Sequence, residues 1–131
     1  MLKAEKKILV YSLYRMKKEE RIMRRFYLFC NAGMSTSLLA SKMQKVATEH
    51  NLPIEVKAFP DAKMDQIINE FHPDCILLGP QVKYLYEKTV ERYGHLGSPI
   101  FVIDSADYGT MNGERVLKTA LKKVKEAGTN K

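Results

Sequence analysis

Between Phe26 and Val124 the apolar positions switch four times from a run or an alternation to a helical spacing. Each switch marks a strand giving way to a helix. Phe26-Tyr27-Leu28-Phe29-Cys30 is apolar and aromatic, which predicts a buried strand. After it Leu38, Leu39, Met43 and Val46, with Ala40 and Ala47, recur on one helical face, predicting a helix from Ser35 or Ser37 to Asn51. Pro53 stops the chain, and Ile54 to Phe59 alternates as a second strand. Pro60-Asp61 turns. Asp61 or Asp65 caps a helix carrying Met64, Ile67, Ile68 and Phe71, which His72-Pro73 ends. Cys75-Ile76-Leu77-Leu78 is continuously apolar, the mark of a central parallel strand. Gly79-Pro80-Gln81 leads into a third helix with Val82, Leu85, Tyr86, Val90 and Tyr93. Pro99 to Ile103 is the fourth strand, Asp104 to Gly113 a polar loop, and Met111, Val116, Leu117, Ala120, Leu121 and Val124 line the last helix. Lys125 to Lys131 reads as a fraying tail.

Four strand–helix units in series predict an α/β fold: an open four-stranded parallel sheet with helices on both faces. Ligands of such sheets sit beyond the carboxyl ends of the strands, where the strand order reverses. That places Cys30 and the turn after it, Gly79-Pro80-Gln81 and the Asp104–Gly113 loop on one edge.

The turn Cys30-Asn31-Ala32-Gly33-Met34-Ser35-Thr36-Ser37 carries the strongest chemical signal. Gly33 permits a tight turn, and Ser35, Thr36 and Ser37 are good helix caps. Backbone N–H groups converging at a helix start form an anion cradle suited to phosphate. Cys30 sits on its rim, where the same donors favour a thiolate. A nucleophile and a phosphate site in one turn point to phosphoryl chemistry on sulfur. Cys75 lacks such a setting and reads as an inert core thiol. A Walker loop and a dinucleotide fingerprint are both missing. His50, His72 and His95 fall on helix ends or a loop without paired ligand spacing, so neither a metal nor a cofactor is expected. Gln81, Asp104, Asp107 and Tyr108 are candidates for the edge of the site. Asp104 and Asp107 read first as turn residues and a helix cap, and otherwise as groups facing Cys30 across the strand ends.

Charge changes the picture only at the start of the chain. Of a net +7, residues 1–22 hold +4, and the remainder is scattered among acids. With no basic stripe interleaved with aromatics, a nucleic-acid partner is not expected. No apolar run reaches membrane-spanning length, so no membrane insertion is expected, and the start lacks a signal-peptide layout. Two cysteines do not make a disulfide framework, and a reducing cytoplasm suits a nucleophilic thiolate. Residues 1–22 differ from the rest and read as an N-terminal extension, followed by one domain over 23–131. Lys18-Glu19-Glu20-Arg21 can be encoded by a GGAG-rich purine run resembling a ribosome-binding site just upstream of Met23. Met23 is therefore the expected biological start and the extension is expected not to be native.

Cys30 to Leu39, Leu77-Leu78-Gly79-Pro80-Gln81-Val82 and Asp107-Tyr108-Gly109-Thr110-Met111-Asn112-Gly113 resemble the enzyme IIB component of lactose/cellobiose-type sugar phosphotransferase systems, over residues 23–127. The resemblance implies that Cys30 takes a phosphoryl group from a phosphohistidine on a IIA component. It then passes the group to a sugar bound by the membrane IIC transporter. It also implies that Asn31 to Ser37 (Asn31, Ala32, Gly33, Met34, Ser35, Thr36 and Ser37) cradle the phosphate. Asn31 replaces the small residue of many members. Docking at both steps calls for an exposed loop, with Met34 as an adaptable apolar contact, and a shuttling carrier suits a monomer at the cytoplasmic side of the transporter. Two other readings stay open. The layout also resembles low-molecular-weight tyrosine phosphatases, whose C-x5-R-[ST] motif has Thr36 here in place of arginine, with Asp104 or Asp107 as leaving-group acid. The other is a non-catalytic anion-binding regulatory domain.

Overall fold

A computed structural model describes residues 23–31 and 33–129. The expectations for residues 1–22, for Ala32, for the side chain of Met34 and for residues 130–131 of the tail lie outside the described residues. Four strands, β1 (Arg24–Cys30), β2 (Ile54–Pro60), β3 (Cys75–Leu78) and β4 (Ile100–Val102), form one sheet in the order β2-β1-β3-β4. All pairings are parallel. The helices are α1 (Gly33–Glu49), α2 (Met64–Phe71), α3 (Tyr86–Tyr93), α4 (Ser105–Gly109) and α5 (Gly113–Thr129), with short 3-10 turns at Asp61–Lys63, Pro80–Leu85 and Gly94–Leu96.

β1 has a strand on each side and helices over both faces, which explains why Phe26 to Cys30 are all buried. Alternation along the strand divides its side chains between two cores. Phe26 and Leu28 pack with Leu39 and Met43 of α1 and Val116, Leu117 and Ala120 of α5. Tyr27 and Phe29 pack with Met64, Ile67 and Ile68 of α2, together with Val82 and Tyr93. The doubly covered parallel sheet expected from the apolar pattern is the one observed. At the outer edge, Gln44 of α1 stands in for a further strand. Its carboxamide donates to the Ile54 carbonyl at 2.9 Å and accepts from the Val56 amide at 2.8 Å. Those two backbone groups of an edge strand are thereby satisfied and shielded from another chain.

The differences from the sequence reading are local. α1 begins at Gly33, ahead of Ser35 and Ser37, so the hydroxyl residues lie in its first turns and do not precede it as caps. The third helix opens as a 3-10 segment because Pro80 fixes its start and Val82, at φ −116° and ψ 26°, breaks the helical run. Tyr86 and Val90, read as part of that helix's apolar face, are exposed. The Asp104–Gly113 stretch is not a loop throughout. Asp104 accepts hydrogen bonds from the Ala106 and Asp107 amides at 2.9 and 3.0 Å and caps α4. The tail is helical to Thr129, because the apolar spacing of α5 runs on through Leu121 and Val124 against the first core.

Candidate functional site

The strand order fixes where a site can form. The chain leaves β1 toward β2 through α1, then crosses back over β1 to β3, so its direction reverses between β1 and β3. The crevice of such a sheet lies at that reversal, beyond the carboxyl ends of the two strands. Cys30 is the last residue of β1, and Gly79 follows the last residue of β3. The Gly79 amide donates to the Phe29 carbonyl at 2.9 Å, and the Ile103 amide to the Leu78 carbonyl at 2.8 Å. The exits of β1, β3 and β4 are thus drawn into one row.

Only Asn31 and Ala32 separate Cys30 from α1. A helix of 17 residues starts there, and the N–H groups of its first turn have no carbonyl partner within the helix. With the helix dipole they form an electropositive end. Ser35 and Ser37 are exposed on this turn, whereas Thr36 is buried. Its hydroxyl lies 3.0 Å from that of Tyr108 in α4. That bond ties the head of α1 to the fourth strand–helix connection. It also consumes the position at which a phosphatase loop carries its arginine.

The sulfur is more enclosed than the sequence suggests. Docking calls for an accessible Cys30, but the residue is only 1% exposed. Two exposed carboxamides cover it. The Gln81 Oε1 is 3.4 Å from Sγ and the Asn31 Oδ1 is 3.7 Å away, both within reach of the thiol proton. Gly79 makes room for this arrangement. A Cβ at that position would stand 2.9 Å from Gln81 Oε1 and 3.1 Å from Sγ.

Of the candidate edge residues, Gln81 touches the sulfur and Tyr108 reaches the loop through Thr36. Asp104 and Asp107 are engaged elsewhere. Asp104 caps α4, and Asp107 pairs with Arg115 at 3.3 Å. Cys75 is a fully buried free thiol, and burial pushes its pKa up, so it stays protonated. Among the described residues no group of three or more His, Cys, Asp or Glu converges as a metal site would require. Also among them, no helix is long and apolar enough to cross a membrane.

These features define an α/β domain with a covered cysteine at the switch point of a parallel sheet. Comparison with known proteins gives the family. Residues 25–119 match the family model described as PTS system, lactose/cellobiose-specific IIB subunit. The chain is 43% identical over 96 residues to a PTS system galactose-specific EIIB component of Lactococcus lactis subsp. cremoris, covering 71% of this chain and 89% of that one. It is 42% identical over 96 residues to a PTS system cellobiose-specific EIIB component of Lactococcus lactis subsp. lactis, with the same shares covered. The solution structure of a cellobiose-specific phosphotransferase IIB component from Borrelia burgdorferi superposes with a TM-score of 0.61 at 30% identity, covering 79% of this chain and 94% of that one. The chain therefore belongs to the lactose/cellobiose-specific IIB family, the sugar-specific IIB components of phosphotransferase systems.

Proposed function

We propose that the protein is a phosphocarrier in which Cys30 accepts a phosphoryl group from a phosphohistidine of a IIA component. It then delivers the group to a sugar of the cellobiose, lactose or β-glucoside class held by a membrane IIC transporter during uptake. One observation carries the assignment within this family: Cys30 ends an inner strand, with two residues between it and the head of a 17-residue helix. In the loading step the P–N bond to the donor imidazole breaks and a P–S bond to Cys30 forms. The thiol proton is left, in net, on the imidazole nitrogen that gave up phosphorus. Unpaired amides of α1, from Gly33 onward, spread the charge of the phosphoryl oxygens without a metal. Asn31, Ala32 and the hydroxyls of Ser35 and Ser37 complete the cradle, and Thr36 holds its shape through Tyr108. The carrier works at the cytoplasmic side of the transporter, as a monomer formed by the domain that starts at Met23. With a threonine in place of the guanidinium clamp, the loop suits holding a phosphoryl group for a partner better than hydrolysing it.

The test is direct. The protein is incubated with phosphoenolpyruvate, the general phosphotransferase proteins and a IIA component of the lactose/cellobiose type. Intact mass at neutral or mildly basic pH should show one added phosphate, located at Cys30 and lost in Cys30→Ser. An unmodified mass with every cognate IIA component tried would refute the carrier.

A further inference from the structure

The two carboxamides over the sulfur pose a problem for any incoming phosphoryl group. Each presents an oxygen to Sγ, at 3.4 Å from Gln81 and 3.7 Å from Asn31. That arrangement suits a thiol, which donates. From these two side chains a group carrying three negatively charged oxygens would meet acceptors, which oppose the attraction of the α1 amides. Access is a second problem, because Cys30 is 1% exposed beneath these side chains. At least one carboxamide must turn before phosphorus can reach sulfur.

Gln81 is the side chain placed to do so. Its own backbone is anchored: Pro80 fixes the start of the 3-10 turn, Val82 beside it is fully buried, and the Val82 amide donates to the Gly79 carbonyl at 2.9 Å. Its side chain is exposed, with the contact to Sγ at 3.4 Å. It has reached from the exit of β3 across to β1, through the space that Gly79 leaves open. A carboxamide carries an acceptor and two donors on one planar group of nearly symmetrical shape. Half a turn about its last side-chain bond exchanges oxygen for NH2 with little change in packing.

We infer that Gln81 is a further catalytic residue, a reversible cover whose carboxamide oxygen faces the Cys30 sulfur at rest and whose NH2 turns to donate an N–H to the phosphoryl group once the group is arriving on sulfur. This inference rests on Cys30 being the phosphoacceptor. In the turned state the Gln81 NH2 meets one equatorial phosphoryl oxygen from the β3 side, while the α1 amides meet the others from the opposite side. No covalent bond of Gln81 changes, and the thiol proton leaves with the transfer as described above.

The experiment is single-turnover loading of the full chain from a phosphorylated IIA component, followed by rapid quench and intact mass over a range of donor concentrations. Wild type is compared with Gln81→Ala and Gln81→Glu. Loss of a charge-assisted hydrogen bond should lower the saturating rate about tenfold to a hundredfold in Gln81→Ala. Gln81→Glu keeps the shape, offers no donor and adds a negative charge, so it should be slower still. The donor concentration at half-saturation should move little, because the lost contact is to the transferring group and not to the donor protein. In wild type the Gln81 side-chain NH2 resonances should shift on phosphorylation. A saturating rate that is unchanged or raised in both variants overturns the inference, as does an effect confined to half-saturation. Wild type that loads normally beside unaffected variants overturns this role alone. Wild type that gains no phosphate at Cys30 removes the carrier reading with it.

Discussion

At the scale of single residues, the side chains that shape the site are those whose partners lie far along the chain. Cys30 announces itself, because a cysteine closing an apolar run before a glycine- and hydroxyl-rich turn has a local signature. Thr36 does not. Among three neighbouring hydroxyl residues it reads as one cap candidate of several, and its actual partner, Tyr108, is 72 positions away. Gln81 is legible only as an edge candidate. Its contact with Sγ exists because the sheet order sets the exit of β3 beside that of β1. Asp104 shows the opposite case, since its cap is encoded two and three residues downstream and the bland reading is the one observed. The Thr36–Tyr108 bond is buried, so breaking it from one side should cost more than its net worth. Thr36→Val is expected to destabilise the fold by about 1–3 kcal/mol, because the Tyr108 hydroxyl is left desolvated without that partner. Adding Tyr108→Phe should return part of the loss. Urea unfolding of the two single variants and the double variant measures this, and strictly additive costs would show that the hydroxyls do not depend on each other.

At the scale of elements, all four strands follow from apolar runs or alternation, and the helices from apolar spacing, except α4, which lies in a stretch that reads as a polar loop. What pattern alone does not fix is how a helix begins. α1 starts at Gly33, only three positions after the last residue of β1, so the hydroxyl residues that read as caps fall inside its first turns. The segment after Gly79 is 3-10 because Pro80 and Val82 set its backbone, which periodicity does not register. Close approach of helices is also invisible in a hydropathy pattern. At the start of α5, a Cβ on Gly113 would lie 2.8 Å from the Lys42 carbonyl carbon and 2.9 Å from the Met43 amide nitrogen. Both are backbone atoms in the middle of α1 and cannot swing away as a side chain would. Gly113→Ala should therefore force α1 and α5 apart and cost about 1–3 kcal/mol, an overpacking penalty exceeding the usual gain from removing a glycine. The reading is a lower urea midpoint with an unchanged slope. A variant as stable as wild type would mean that the two helices separate freely.

At the scale of the whole molecule, the sequence establishes a parallel sheet but not its order, since right-handed crossovers allow β1 to be central or terminal. The order shapes the site, because the pairing of β1 with β3 sets Cys30 beside Gly79 and Gln81. Around the second core stand two tyrosine–carboxylate pairs, one on the sheet and one between α2 and α3, that give the fold a defined pH range. Tyr27 bonds to Glu55 at 2.7 Å, and Tyr93 bonds to Asp65. Burial raises the Glu55 carboxyl, but the Tyr27 hydroxyl and the charges of Lys57 and Arg25 more than offset it, so its pKa lies below the ordinary 4.5. The Tyr93 hydroxyl, helped by Arg92, holds Asp65 below the ordinary 3.8. Burial, and then the carboxylate partner, pushes Tyr93 up to about 12 and raises Tyr27 as well. The signs follow from linkage. A lowered carboxyl stabilises the fold above its unfolded value and loses that contribution as pH falls through the folded one. A raised phenol stabilises below its unfolded value of 10.0 and loses it as pH climbs toward the folded one. Stability contributed by the pairs should thus be full from about pH 5 to 9 and decline on both sides. Asp65 is largely exposed, so solvent screening limits its pair to about 1 kcal/mol or less. The partly buried Tyr27–Glu55 pair should contribute the larger share. Subtracting the urea-unfolding stability of a Tyr27→Phe/Tyr93→Phe variant from that of wild type, pH by pH, isolates these pairs from every other titrating group. The difference should form a plateau that shrinks at both extremes, and a difference constant across the whole range would show that the hydroxyls pack against the carboxylates without favouring their charged form.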